Sequence, residues 1–279
     1  MPRTVGRDQP AKSLADVSPC RLLMAITPVK PSPGVEALLR AANGFVKDMI
    51  GCPAPALPQH PFLPGSRLAD AVSRLRHPLS ERILQGPPVS QRLMGAQAEE
   101  QSLYQVWAKT TGSDLEMSDV QRFVALSTGG DGSFRRGDAW LRSRDGRVRT
   151  QLGDAGEAID RLQLLLEVLR GGGFGEGVLQ AVRALVLVNN AHPFPDGNGR
   201  LGRALFNHYL HLSGMCRDCF IPLKWLSVLA RGGYEIRLRE AELFGRWDGI
   251  ISYHCRAIAI SASLDRPEVA ENLGIDNVQ

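Results

Sequence analysis

Residues 178–188 (VLQAVRALVLV) put apolar side chains on nearly every side of the helix they would form. A helix at a protein surface keeps a polar face, so one without such a face belongs at the centre of a bundle with neighbours around it. The run leads straight into His192-Pro193-Phe194-Pro195-Asp196-Gly197-Asn198-Gly199-Arg200, whose prolines and glycines cannot continue it. A second apolar, aromatic run follows at residues 201–212 (LGRALFNHYLHL) and predicts another helix. A polar loop hung rigidly from a buried helix suits a preorganised site.

The loop holds the parts of a nucleotide-phosphate site. An imidazole takes a proton near neutral pH, which makes His192 a candidate general base. Asp196 suits a hard cation such as Mg²⁺, which takes one or two protein oxygens and fills its shell from phosphate and water. Gly197 and Gly199, on either side of Asn198, let backbone N–H groups close around an anion, and a helix starting there adds its dipole. Arg200 and Arg203 lie three apart and would offer forked donors to one polyphosphate. Each residue also has a plainer role: His192 as a core histidine, Asp196 as a helix cap, and Asp-Gly-Asn-Gly as a turn. The combination at this spacing favours the phosphate site.

The stretch resembles the Fic (filamentation induced by cAMP) domain proteins, whose pattern His-Pro-Phe-x-Asp/Glu-Gly-Asn-Gly-Arg-x-x-Arg is met at every specified position from His192 to Arg203. The resemblance implies a mainly α fold, a helical bundle with one β-hairpin flap. It also implies nucleotidyl transfer, most often of AMP from ATP to a protein hydroxyl. In that scheme His192 deprotonates a Ser, Thr or Tyr of the target and Asp196 holds Mg²⁺ between phosphates. Gly197, Asn198, Gly199 and Arg200 stabilise the charge, Arg203 holds the terminal phosphate, and Phe194 anchors the loop. The partners would be a nucleoside triphosphate and a hydroxyl-bearing target protein. Transfer of UMP, GMP or phosphocholine through the same loop, or a silent binding module, are the alternatives.

Upstream, Gly129-Gly130-Asp131-Gly132 leads into Ser133, Phe134, Arg135 and Arg136. Two short runs then flank the Asp145-Gly146 turn, a strong hairpin signal. The position resembles the family's flap, which takes up a target segment as an added strand through backbone hydrogen bonds; a purely structural ribbon is the competing reading. Many family members carry an inhibitory glutamate that pairs with the motif's second arginine. The best positional counterpart here, residues 80–85, puts Leu84 at that place. The expectation is therefore that such inhibition is missing, and with it the glutamate that AMP removal uses in the family.

At 279 residues, 43% hydrophobic and 22% charged, the chain has the makings of an ordinary globular core. A net charge of +4 suits an anionic nucleotide but is too weak to argue for nucleic acid. No apolar run suits a membrane span and the start has no lipophilic signal core, so a cytoplasmic setting is the default, with export by a signal-less route as the alternative. Five cysteines disfavour a disulfide framework. His208, His211, Cys216 and Cys219 fall close enough to permit zinc, but only one CxxC is present, and two unpaired thiols beside a helix end are the expectation. A second His-Pro-Phe, at His60, Pro61 and Phe62, has no Gly-Asn-Gly or arginines after it and reads as a loop.

Three regions are expected: an N-terminal extension over 1–76, partly disordered with short helices, a Fic domain over 77–262, and a flexible tail over 263–279. Helices are predicted at 35–50, 67–76, 96–110, 115–126, 157–170, 178–188, 201–212, 234–243 and 247–260. Tyr234 is a candidate contact for the nucleotide base, with a core role as its competitor.

Overall fold

The structure, a computed structural model, describes residues 29–49, 67–78, 89–110, 115–142, 149–170, 177–216, 219–230 and 233–264. In chain order its elements are α1 (Pro33–Asp48), α2 (Arg67–Ser73), α3 (Val89–Thr110), α4 (Met117–Thr128), β1 (Trp140–Arg142) and β2 (Arg149–Gln151). They continue with α5 (Ala155–Arg170), α6 (Val178–Ala191), α7 (Asn198–Leu212), α8 (Leu223–Leu229), α9 (Gly233–Leu243) and α10 (Trp247–Leu264). The fold is mainly helical. None of the described helices is long and apolar enough to cross a membrane.

Helix α6 is the axis. From Ala181 to Ala191 every residue is buried, and α1, α5, α7, α9 and α10 pack around it. Its valines cost helix propensity, but only a few tenths of a kcal/mol each, whereas burying a valine or leucine side chain contributes about 1.5 to 3 kcal/mol. Packing, not propensity, makes this segment a helix. Helix α7 lies against α6 most extensively, and its other flank meets α3 and α4. The two cross closely at Gly202, where an added Cβ would come within 2.2 Å of the Asn189 amide nitrogen. Asn189 in turn donates to the Leu185 carbonyl at 2.8 Å, so the seam between the helices is filled.

Helix α4 starts on a reciprocal capping box. The Glu116 side chain accepts from the Asp119 backbone, and Asp119 accepts from the Glu116 N–H at 3.1 Å. It ends at Gly129 in the left-handed conformation. The strands pair antiparallel, Trp140 opposite Gln151 and Arg142 opposite Arg149, and the turn between them lies outside the described residues.

Of the expected N-terminal extension, α1 and α2 are described, and both pack on α10, with α1 also touching α6. Val35, Leu39, Ala42 and Val46 join the same apolar core as the helices that follow. The Ser32 N–H donates to Asp248 at 3.2 Å, tying the start of α1 to the start of α10. Residues 1–28 and the expected tail from 265 onward lie outside the described residues, as do His60, Pro61 and Phe62.

Candidate active site

Helix α6 ends at His192, the only non-glycine residue of the described chain with positive φ, at 54°. That left-handed conformation costs about 1 to 2 kcal/mol for a residue with a Cβ, so the surroundings must hold it. Its N–H still donates to the Val188 carbonyl at 2.9 Å. The ring's Nδ1 lies 3.4 Å from the Asn189 carbonyl, which can only accept. The proton therefore sits on Nδ1, and Nε2 carries the lone pair. Burial above all, then the Arg239 and Arg135 guanidiniums, hold the ring's pKa below the ordinary histidine value; the Asn189 contact and Asp196 pull the other way. A histidine in this state is neutral at neutral pH and able to take a proton.

Phe194 is completely buried, as the loop-anchor reading expects, and its ring lies 4.9 Å from that of Phe134. Asn198, also buried, closes the loop: its amide donates to the Phe194 carbonyl at 2.7 Å and its carbonyl accepts from the Phe194 N–H at 3.0 Å. The Asn198 side chain is thus a staple facing inward, and any contact from this residue to a phosphate falls to its backbone. Gly197 takes the N-cap of α7 with φ of 89°, and no side chain caps the helix. A Cβ there would stand 2.9 Å from the Thr128 methyl. The first-turn N–H groups, Gly199 and Arg200 among them, have no helical carbonyl to donate to and present a positive end.

Asp196 does not cap this helix. It accepts from the adjacent Gly197 N–H at 2.6 Å, stands 3.6 Å from Arg200, and is 73% exposed at the mouth of the loop. No group of three or more His, Cys, Asp or Glu able to hold a metal occurs among the described residues. A lone exposed carboxylate beside a phosphate cradle fits Mg²⁺, which draws most of its oxygens from phosphate and water, and does not fit a metal needing an all-protein cage. The suggested zinc set is not assembled either. His211 Nε2 donates to the backbone carbonyl of Cys219 at 2.7 Å, and the His208 ring packs on Trp107 and Tyr209.

The two arginines turn to different helices. Arg200 donates to the Ser127 carbonyl at the end of α4. Arg203, 9% exposed, pairs through Nη2 with Glu99 of α3 and has its Nε 3.2 Å from Glu100, while Nη1 donates to Gly199 O at 3.1 Å. The Nε–H is poorly aligned to that carboxylate and is a buried donor without a hydrogen bond. Glu100 is itself buried and accepts the Lys224 N–H at the start of α8; burial raises its pKa, against the pull of Arg203. Residue 84 lies outside the described residues. Arg203 nonetheless meets two glutamates from elsewhere in the chain, both on α3. Their only local signal in the sequence is the Glu99-Glu100 pair within the helix predicted over 96–110.

Ser133 and Arg135 do not present their side chains for docking. The Ser133 hydroxyl donates to Asp131 at 2.6 Å, which lowers the Asp131 pKa, and Arg135 is buried with its guanidinium on backbone carbonyls, including that of His192 at 2.8 Å. Arg136 and Trp140 are exposed beside the strand pair. Tyr234 packs on Tyr253 and His254, the core role. Sequence reasoning missed Arg239, which donates to the Asn190 side chain and acts on the His192 ring.

The model of the Fic/DOC family matches residues 115–210, which span α4, the strand pair, the loop and most of α7. The fold resembles the crystal structure of a Fic family protein from Desulfovibrio desulfuricans G20, with a TM-score of 0.57 at 15% identity over 91% of this chain and 79% of that one. None of the curated proteins compared with the chain matches it. Residues 115–210 thus match a Fic domain, a family whose members are typically transferases.

Proposed function

We propose that the protein transfers AMP from ATP to a Ser, Thr or Tyr hydroxyl of a target protein. The reading is carried by one observation: the lone pair of a neutral, fixed His192 lies in the same loop as the uncapped start of α7. The target hydroxyl gives its proton to His192 Nε2 as its oxygen bonds to the α-phosphorus. The bond from that phosphorus to the bridging oxygen breaks, and pyrophosphate leaves. First-turn N–H groups of α7 and Arg200 offset the charge on the phosphoryl oxygens. Asp196 would hold Mg²⁺, which would supply positive charge to offset that of the phosphates. A target segment added along the strand pair would bring its hydroxyl to the ring.

Incubating wild type and His192→Ala with cell lysate and each of four labelled nucleoside triphosphates tests this. Label on protein from ATP, with wild type only, is the expected outcome; label from another nucleotide alone corrects the donor, and none from any nucleotide favours a binding module. The Glu99 and Glu100 carboxylates beside Arg203 favour a second reading, hydrolytic removal of AMP from a modified target, since they place glutamates against the motif's second arginine. Release of AMP from a pre-modified target by wild type, lost in Glu99→Gln or Glu100→Gln, would establish it.

A further inference from the structure

Arg135 stands at the root of the strand pair, and its side chain reaches two places at once. Toward the loop, Nε donates to the His192 carbonyl at 2.8 Å and Nη2 approaches that of Ala191 at 3.5 Å, while the Arg135 backbone N–H donates to Pro193 O at 3.0 Å. Toward the strands, Nη1 donates to Gly137 O at 2.7 Å, just before β1. Nη2 donates to Asp154 O at 2.9 Å and to Gly153 O, just after β2. One residue thus binds three consecutive carbonyls of the catalytic loop and both ends of the ribbon. Those carbonyls surround the one described non-glycine residue held at positive φ, whose conformation needs outside support. A planar guanidinium can serve several fixed carbonyls at set angles, which a lysine ammonium cannot. Phe134 meets Phe194 along the same seam.

We propose that Arg135 is a positioning residue: it fixes the His192 ring through the backbone and joins the strand pair and the catalytic loop into one body. A segment laid along the strands is then registered against the ring that activates its hydroxyl. The proposal rests on the reading of His192 as the base and can be tested apart from it.

Arg135→Lys and Arg135→Gln are made in the full chain, with the lysine variant keeping the charge and losing the fork. Ligand-free protein with labelled histidine is titrated by NMR, with the His192 signal assigned from His192→Ala. Arg239 on α9 and Asp196 in the loop, the other charges acting on the ring, stay in place. The His192 midpoint is expected to rise toward the ordinary histidine value in both variants, as the ring loses its half-buried place. Hydrogen exchange at the amides of His192 and Leu152, bonded to the carbonyls of Val188 and Ala139, should speed up together by tenfold or more, with mid-α10 amides unchanged. In the transfer assay kcat should fall at least tenfold with KM for the nucleotide within twofold. A lysine variant with the wild-type ring titration and exchange overturns the proposal, and so does faster exchange at Leu152 alone. Should the glutamine variant not fold, the lysine variant decides. Wild type without transfer activity would sink the adenylyl-transfer reading, leaving titration and exchange to judge Arg135.

Discussion

Replacing Glu99 with glutamine removes the partly exposed half of the carboxylate pair on Arg203 and leaves the buried half in place. Arg203 then keeps Glu100 at 3.2 Å on Nε and the Gly199 carbonyl at 3.1 Å on Nη1, while Nη2 exchanges its charged acceptor for a neutral amide oxygen that a phosphate displaces more easily. The Glu99 side chain is 33% exposed, so its charge-assisted bond is discounted for solvent and contributes about 1 to 2 kcal/mol. A terminal phosphate must displace that bond before the outer donors of Arg203 can fork onto it. Without the competitor, binding should tighten by the same amount, roughly fivefold to thirtyfold in Kd. Only ligands long enough to reach Arg203 benefit. Calorimetric titration should show ATP with Mg²⁺ tightening within that range and AMP unchanged. Glu100→Gln is the harder experiment: Glu100 is buried and accepts the Lys224 N–H, so removing its charge should cost about 2 to 3 kcal/mol of stability in urea unfolding. Equal gains for AMP and ATP, or no gain in a folded Glu99→Gln protein, would make Arg203 a structural strut and refute the reasoning.

Transfer should rise with pH through the depressed pKa of His192 and run level across neutrality, because the neutral ring is the active form; a profile still climbing between pH 7 and 8 would remove His192 as the base. Gly202→Ala drives a methyl to within 2.2 Å of the Asn189 amide and should cost about 2 kcal/mol, read as a lower denaturant midpoint; an unchanged midpoint would mean that the α6–α7 seam has slack. Burial pushes the His254 pKa down to about 4, so the unfolded chain binds its proton first, and stability is complete above the ordinary value of 6.5 and lost as pH falls toward 4. Between pH 7 and 5 this amounts to about 2 kcal/mol. His254→Phe should flatten that part of the urea-midpoint profile, and an unchanged slope would show that the ring titrates normally.

What the sequence made legible was what a local rule governs. The all-round apolar face of residues 178–188 requires a central helix, and α6 is one. Asp-Gly between two short runs signalled the strand pair. Helix α3, predicted from residue 96, begins at Val89, and α8, Leu223–Leu229, was not predicted. The start of α8 is set by a tertiary contact, the Lys224 N–H on the buried Glu100, which no local pattern encodes. The same limit applies at the site. His192, Asp196 and the glycines could be read because their chemistry lies within one loop. The partners of Arg203 are about a hundred positions away in sequence, and Arg135 reads as a residue of the docking flap until the fold turns its guanidinium onto the His192 carbonyl. Spacing alone also permits what the fold does not assemble: His208, His211, Cys216 and Cys219 fall close in sequence, but His211 faces a backbone carbonyl and His208 an indole, and both cysteines are free thiols.

The proposed transfer asks two opposite things of the site, and the fold separates them. A general base must not move, since an error of about 1 Å in its position costs much of the rate. His192 is accordingly tied from several sides, by Arg135 on its carbonyl, by the Asn198 staple across Phe194, and by Arg239 on the neighbouring Asn190. A phosphate-binding cation must instead be able to change partners. Arg203 takes its charged partners from α3, which packs mainly on α4 and α8 and also on α7. Loosening the Glu99 contact therefore disturbs no bond that orients the base. If so, substitutions at Glu99 should change nucleotide affinity without altering the His192 titration, and substitutions at Arg135 should do the reverse.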